Sequence, residues 1–241
     1  MRKYAVEFLG TFFLTFTICT SVISGAPLAP LAIGGVLAAL VFAGGHISGA
    51  HYNPAVTVAV VARGRLSSRE IAPYIGSQLL GALLAGVMGR LVVGHGPDGG
   101  AFTAHGRFGA AAVAELLVTF ALAYVVLNVA TSKDHPVNSF YGLAIGLTVL
   151  AGAVSVGGIS GGVFNPAVGA GVVVSGILSP ILWGIYVVVQ CLGGAAAGLA
   201  FRLLNPDDVA PEIPAESPAQ ASVPAPRGAL ADEVLSKQPT S

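Results

Sequence analysis

A ten-residue segment occurs twice in this chain, and no other feature limits the possible folds as much. Ile47-Ser48-Gly49-Ala50-His51-Tyr52-Asn53-Pro54-Ala55-Val56 returns 112 positions later as Ile159-Ser160-Gly161-Gly162-Val163-Phe164-Asn165-Pro166-Ala167-Val168, with seven of the ten residues identical. The same offset carries Tyr74, Gln78, Gly81 and Gly86 onto Tyr186, Gln190, Gly193 and Gly198. Upstream, Glu7-Phe8-Leu9-Gly10-Thr11-Phe12 resembles Glu115-Leu116-Leu117-Val118-Thr119-Phe120 at an offset of 108. Self-similarity on this scale marks two copies of one structural unit. Repeat one is expected over 4–94 and repeat two over 109–204, within a single domain of residues 1–204.

The unit reads as lipid-embedded. Only 9% of the 241 residues are charged and 54% are apolar, roughly a third of the charge that a soluble domain carries. Eight of the 22 charged side chains fall in residues 205–241, which leaves 14 for the first 204. Apolar stretches at 4–24, 28–45, 71–94, 109–131, 138–157 and 179–204 are each of a length to cross a bilayer core of about 30 Å as a helix. Arg2 and Lys3 ahead of an apolar run resemble a secretory signal. That run, however, contains Glu7 and has a counterpart in mid-chain, so it is read as a first membrane helix. Three helices per copy is an odd number, which turns the second copy upside down. Arg2, Lys3, Arg63, Arg65, Arg69, Lys133 and Arg202 fall on one side, and Arg90 and Arg107 on the other. This asymmetry places both termini in the cytoplasm of a multi-pass protein, expected in the cell membrane. A formal net charge of zero argues against nucleic acid as a partner. Cys19 and Cys191 sit within apolar stretches, where a thiol behaves as a small hydrophobe, and no disulfide is expected.

After each Asn-Pro-Ala comes an apolar segment of about ten residues, Val56–Arg63 and Val168–Ser175. At about 1.5 Å per residue this covers about 15 Å, half the hydrocarbon thickness, so these are half-helices. Asn is a favoured helix cap and Pro suits the first helical position. In inverted copies the two half-helices enter from opposite faces and meet start to start at the midplane. Irregular backbone at that depth is tolerated only inside protein or along a water-filled cavity, which makes the Ile-Ser-Gly loops candidates for a pore wall. Two facing helix starts bring roughly half a positive charge each, and Asn53 and Asn165 add amide donors. A water held by both amides cannot also accept a proton from its neighbour in a file. Pore width, lining donors and half-helix dipoles together pass water while blocking cations and proton relay.

The stretch His46-Ile47-Ser48-Gly49-Ala50-His51-Tyr52-Asn53-Pro54-Ala55-Val56-Thr57 resembles, almost letter for letter, the first signature of the aquaporin, or major intrinsic protein, family. The resemblance covers residues 4–204. It implies an all-α membrane protein of six transmembrane helices plus two half-helices, assembled as a homotetramer with one pore per subunit. It further implies passive flow of water or small neutral solutes, with Asn53, Pro54, Ala55, Asn165, Pro166 and Ala167 as the pore motifs. Glu7 and Glu115, intramembrane acids that are by default functional candidates, are implied to brace the pore loops by hydrogen bonds. His51 is implied to pack near the first loop and His46 near the cytoplasmic mouth.

The chain departs from the family at one position that matters. Most members carry an Arg directly after the second Asn-Pro-Ala, part of a narrow filter at the outer mouth; here that residue is Val168. Counting from the two Asn residues puts the other filter positions at Ile33, Ala153 and Gly162, none with a polar side chain. A wider, greasier constriction is expected, with only backbone carbonyls of 159–162 left to accept hydrogen bonds. Val at this position resembles plant vacuolar members that pass ammonia, urea or peroxide besides water. The glycerol-conducting branch usually has an Asp after the Arg, whereas Gly169 stands here, so glycerol is not the favoured solute.

Gln78 and Gln190 are read either as helix-to-helix or loop bonds or as pore lining. His95 and His105 lie between the copies in a loop read as solvated. No metal site is expected, because no Cys or acid accompanies His46 and His51, and no cofactor is implied. The segment 205–241, with Pro206, Pro211, Pro214, Pro218, Pro224, Pro226 and Pro239, is expected to be a disordered cytoplasmic tail. Two other functions compete with the channel: a secondary transporter, which needs coupling-ion ligands at the midplane, and a poorly conducting structural member of the family. An enzyme is not expected, since no nucleophile with a base partner lies near the centre.

Overall fold

The computed structural model describes residues 1–94, 101–136 and 138–208. Eight α-helices run through them: α1 Arg2–Ile23, α2 Ala29–Ser48, α3 Pro54–Arg63, α4 Ile71–Val93, α5 Phe108–Thr131, α6 Tyr141–Ser160, α7 Pro166–Val174 and α8 Pro180–Leu204. Six of them, all but α3 and α7, are long and apolar enough to cross a membrane. The fold is all-α, six membrane helices and two half-helices, and α5–α8 repeat α1–α4 in order. Arg2, Lys3, Arg63, Arg65, Arg69, Lys133 and Arg202 lie at or beside helix ends on one face, here the basic face, and Arg90 and Arg107 at helix ends on the other; α2 and α6 deliver the pore loops from opposite faces.

Helices α2 and α6 run three residues further than expected, to Ser48 and Ser160. The Gly44-Gly45 and Gly157-Gly158 pairs, which would loosen a helix in water, do not do so where backbone groups have no solvent alternative. Both helices stop instead at the following glycine, Gly49 with φ 84° and Gly161 with φ 86°, the left-handed C-terminal stop that glycine adopts at least cost. Start signals are equally local: Asn53 and Asn165 cap α3 and α7, and Pro54, Pro166 and Pro180 occupy first-turn positions.

Within each repeat the first and last membrane helices pack together, α1 on α4 and α5 on α8, while α2 meets α6 across the repeats. Each half-helix lies on the last helix of the other repeat, α3 on α8 and α7 on α4. Lipid tails give no hydrophobic drive between helices, so close approach over small residues supplies the packing. Gly34 and Gly146 face each other's carbonyls at the α2–α6 crossing, and Gly194 and Gly86 do the same for the backbone of Ala55 and Gly171; a Cβ at any of the four would collide. Cys19 and Cys191 are both free thiols.

Ordered chain continues past the expected domain end at 204. Asp208, whose side chain is 1% exposed, lies 3.0 Å from both Arg63 and Arg65, and its Oδ2 accepts from the Lys133 N–H at 3.0 Å. The Arg63 guanidinium also donates to the Thr131 carbonyl at 3.0 Å and stands over the Phe201 ring. The end of α3, the α5–α6 connection and the residues after α8 are thereby tied at one spot on the basic face. The remainder of the expected tail, and His95, lie outside the described residues.

Candidate functional site

Each pore loop is shaped by a buried carboxylate behind it. Glu7 Oε1 accepts from the Ser48 hydroxyl at 2.7 Å and the His51 N–H at 3.0 Å, and Oε2 from the Tyr52 N–H at 2.7 Å and Gln78 Nε2 at 2.8 Å. Glu115 repeats the pattern with Ser160, Val163 N–H, Phe164 N–H and Gln190 at 2.6–2.9 Å. Four donors fill the acceptor capacity of an ionised carboxylate. Hydrogen bonds to a charged group contribute about 1.5–3 kcal/mol each, enough to offset a desolvation cost of several kcal/mol. Tyr74 and Tyr186 complete the cradle by donating to the carbonyls of Ser48 and Ser160 at 2.8 and 2.6 Å.

This cradle holds the loops in backbone conformations that side chains seldom adopt. Ala50, Tyr52 and Phe164 have φ of 50°, 49° and 49°, and Gly162 has φ 66°. Left-handed non-glycine residues cost of order 1–3 kcal/mol each and persist only where their surroundings over-determine them. Here the N–H groups of 51, 52, 163 and 164 are all claimed by carboxylates, so the loop groups left to accept from an occupant of the pore are carbonyls.

The loops end in the two asparagines. Asn53 Oδ1 caps α3 by accepting from the Ala55 N–H at 2.8 Å, while its Nδ2 donates to the Phe164 carbonyl at 2.9 Å. Asn165 Oδ1 accepts from the Ala167 and Val168 N–H groups at 3.0 and 3.2 Å, and its Nδ2 donates to the Tyr52 carbonyl at 2.8 Å. Reversing either amide would set oxygen against oxygen, so the orientation is fixed by its partners. One N–H of each amide is spent on the opposite loop and one is left for the lumen.

A cavity of about 220 Å³ runs past both asparagines. Ile33, Ala153, Gly162 and Val168 line it together, in the half away from the basic face, and His51 lines the other half. Thr57 Oγ1 donates to the Asn53 carbonyl at 3.1 Å and accepts from Gln78 Nε2 at 3.1 Å. Its remaining lone pair faces His51 Nδ1 at 3.1 Å. That assigns the proton to Nδ1 and leaves Nε2 as the acceptor, on the side of Gly49. No carboxylate lines the cavity among the described residues, and the two half-helix starts point at its centre.

Other expected residues lie elsewhere. Pro54, Ala55, Pro166 and Ala167 are buried first-turn residues that pack rather than line the cavity. Gln78 and Gln190 are fully buried and belong to the carboxylate cradles, not to the pore wall. His46 is exposed and makes no hydrogen bond to the loop among the described residues. Phe102, in the connection between repeats, lines the cavity and was not foreseen, because it lies outside the duplicated sequence. Ser48, Ser160, Tyr74 and Tyr186 were visible only as repeated letters.

Comparison with known proteins agrees with this geometry. The Major intrinsic protein family profile matches residues 1–156 and 137–225. Aquaporin NIP1-1 of Zea mays is 36% identical over 216 residues, covering 85% of this chain and 75% of the relative. The glycerol uptake facilitator protein-like 6 of Lactiplantibacillus plantarum is 34% identical over 218 residues, covering 86% of this chain and all of the relative. Among solved structures, the aquaglyceroporin from Plasmodium falciparum has the same fold, with a TM-score of 0.70 at 21% identity, over 85% of this chain and 97% of that one. With paired half-helices, asparagine-capped loops and a profile match along most of its length, the chain belongs to the Major intrinsic protein family.

Proposed function

We propose that this chain conducts water together with small neutral solutes larger or less polar than water, such as ammonia, urea and hydrogen peroxide, through a constriction formed by Ile33, Ala153, Gly162 and Val168. As a family member it is an integral, multi-pass membrane protein and a channel for water and small solutes, not an enzyme. The observation that carries the finer reading is that those four residues line one cavity with Asn53 and Asn165 and bring no polar side chain to it. An apolar wall rejects a solute mainly by size, while hydrogen bonding is left to the two amides, the loop carbonyls and His51. Proton and cation exclusion then rest on the asparagine donors and the half-helix dipoles.

Glycerol stays within the range because a relative named as a glycerol uptake facilitator is 34% identical. It is not favoured: the Trp183 indole stands 2.6 Å from where a Cβ of Gly169 would be, leaving no room for the acid typical of the glycerol branch. In this reading the channel is a homotetramer in the cell membrane. Both termini and the proline-rich segment after 208 lie in the cytoplasm, on the side of the basic face.

Stopped-flow swelling of proteoliposomes with water, urea, ammonia and glycerol tests the proposal. Linear, unsaturable flux of water and of at least one larger solute is the expected result. Saturable, ion-dependent flux would make the chain a secondary transporter, and absence of flux a structural member of the fold.

A further inference from the structure

The connection between the repeats does not simply float over the pore. Phe102 donates its N–H to the Ile177 carbonyl at 2.7 Å and accepts from the Ser179 N–H at 3.0 Å, pairing in parallel with Leu178. Ala104 and Leu178 are each 2% exposed, so the two segments are packed into the rim. Both backbone bonds fix where the Phe102 side chain points. Its ring lies against Gly161, 3.3 Å from where a Cβ would stand, and lines the same cavity as Ile33, Ala153, Gly162 and Val168. Gly161 and Gly162 both have positive φ, 86° and 66°, where a side chain would be strained. The loop therefore cannot readily fill the space beside itself, and a ring from elsewhere in the sequence fills it. Among the described residues, Phe102 supplies the one aromatic ring in that half of the cavity; Tyr52 and Phe164 belong to the midplane.

We infer that Phe102 is a specificity-determining residue, the wall that sets the width of the pore mouth opposite the basic face, in the place that two glycines leave open. The inference rests on the channel reading above. A rigid aromatic face presents a large apolar surface with little rotational freedom, so solutes are sorted by cross-section and their hydrogen bonds go to the Gly161–Gly162 backbone across from the aliphatic side chains.

Proteoliposomes of the wild type, Phe102→Ala and Phe102→Trp, compared by stopped-flow with water, urea and glycerol, test it. Phe102→Ala is expected to raise the glycerol-to-water permeability ratio by about threefold or more, and Phe102→Trp to lower it. Thermal melting of each variant in detergent shows whether the rim is intact. Separately, Phe102→Cys treated with a membrane-impermeant methanethiosulfonate is expected to lose most of its flux, while the wild type, with Cys19 buried and Cys191 half-buried, does not. A conducting wild type whose ratio stays within twofold in both variants, or a modified Phe102→Cys that conducts as before, overturns the assignment of Phe102 and leaves the channel reading standing. A wild type that conducts nothing overturns both.

Discussion

The side chain of Asn53 donates to the main-chain carbonyl of Phe164 at 2.9 Å, so the first repeat's cap holds the second repeat's loop. Asn165 returns the bond to Tyr52 at 2.8 Å. The two half-helices are thus registered against each other by the same amides that face the lumen. Under the channel reading proposed above, selectivity and assembly of the centre therefore rest on the same residues.

An Asn165→Asp variant should expose that coupling. Aspartate keeps an oxygen for the α7 cap but sets its other oxygen against the Tyr52 carbonyl, leaving that acceptor unpaired at a cost of about 1–3 kcal/mol. It also places a negative charge between two helix starts. A lower melting temperature in detergent is expected, together with a proton or cation leak absent in the wild type, read with a pH-sensitive dye in proteoliposomes. Retained impermeability to protons would show that the donors are not needed for exclusion.

Glu115→Gln should cost more than its near-isosteric shape suggests. Each carboxylate oxygen accepts two bonds, and a glutamine must turn its NH2 toward one pair of donors. Turned toward Ser160, whose hydroxyl can accept as well as donate, the NH2 still leaves the Val163 N–H facing a donor, and with the charge lost from the other bonds the cost amounts to about 2–5 kcal/mol. Denaturation in detergent should show that loss, and Ser160→Ala, which removes a single donor, should show a smaller one. Equal effects would mean that the carboxylate is not the organiser of the loop.

Val168→Arg introduces the family's usual residue into an apolar ring. The guanidinium would project into the cavity beside Gly162 and narrow it. Water permeability is expected to survive while urea and glycerol permeabilities fall by about tenfold, the equivalent of 1.4 kcal/mol in barrier. Should larger solutes pass as fast as in the wild type, Val168 does not set the aperture.

Asp208 makes a prediction outside the membrane. Burial works against its charge, but the Lys133 N–H, the Arg63 guanidinium and Ser132 more than offset that, holding its carboxyl below the usual range. A group whose folded pKa lies below its unfolded value stabilises the fold above the unfolded pKa, near 3.8, and gives that up as pH falls through the folded one. Melting temperature should therefore drop below about pH 4 in the wild type. Asp208→Ala strands two guanidinium groups, Arg63 fully and Arg65 largely buried, and should cost about 2–4 kcal/mol at pH 7. That variant should also lose part of the acid sensitivity; an unchanged acid profile would remove Asp208 as its source.

The duplication was legible because it is written in letters: a shared Asn-Pro-Ala, a 112-residue offset, and apolar runs of full and half membrane length. Helix ends were less so. The apolar stretches end at 45 and 157, whereas the helices stop at Gly49 and Gly161, because lipid gives a helix loosened by paired glycines no water to bond. Gln78 and Gln190 were recognisable as a pair, but their direction was not; only the position of Glu7 and Glu115 behind the loops turns them away from the pore.

By itself the sequence determined the six spans, the two half-helices, their inversion and the absence of an arginine beyond the second turn, since each depends on local periodicity, capping or identity at a position. Tertiary structure alone decided which amide protons remain for the cavity, that Phe102 lines that cavity, and that Asp208 joins Arg63 and Arg65. These depend on backbone groups and side chains far apart in the chain, brought together by packing across the repeats, and no residue pattern along the chain encodes the distance between them.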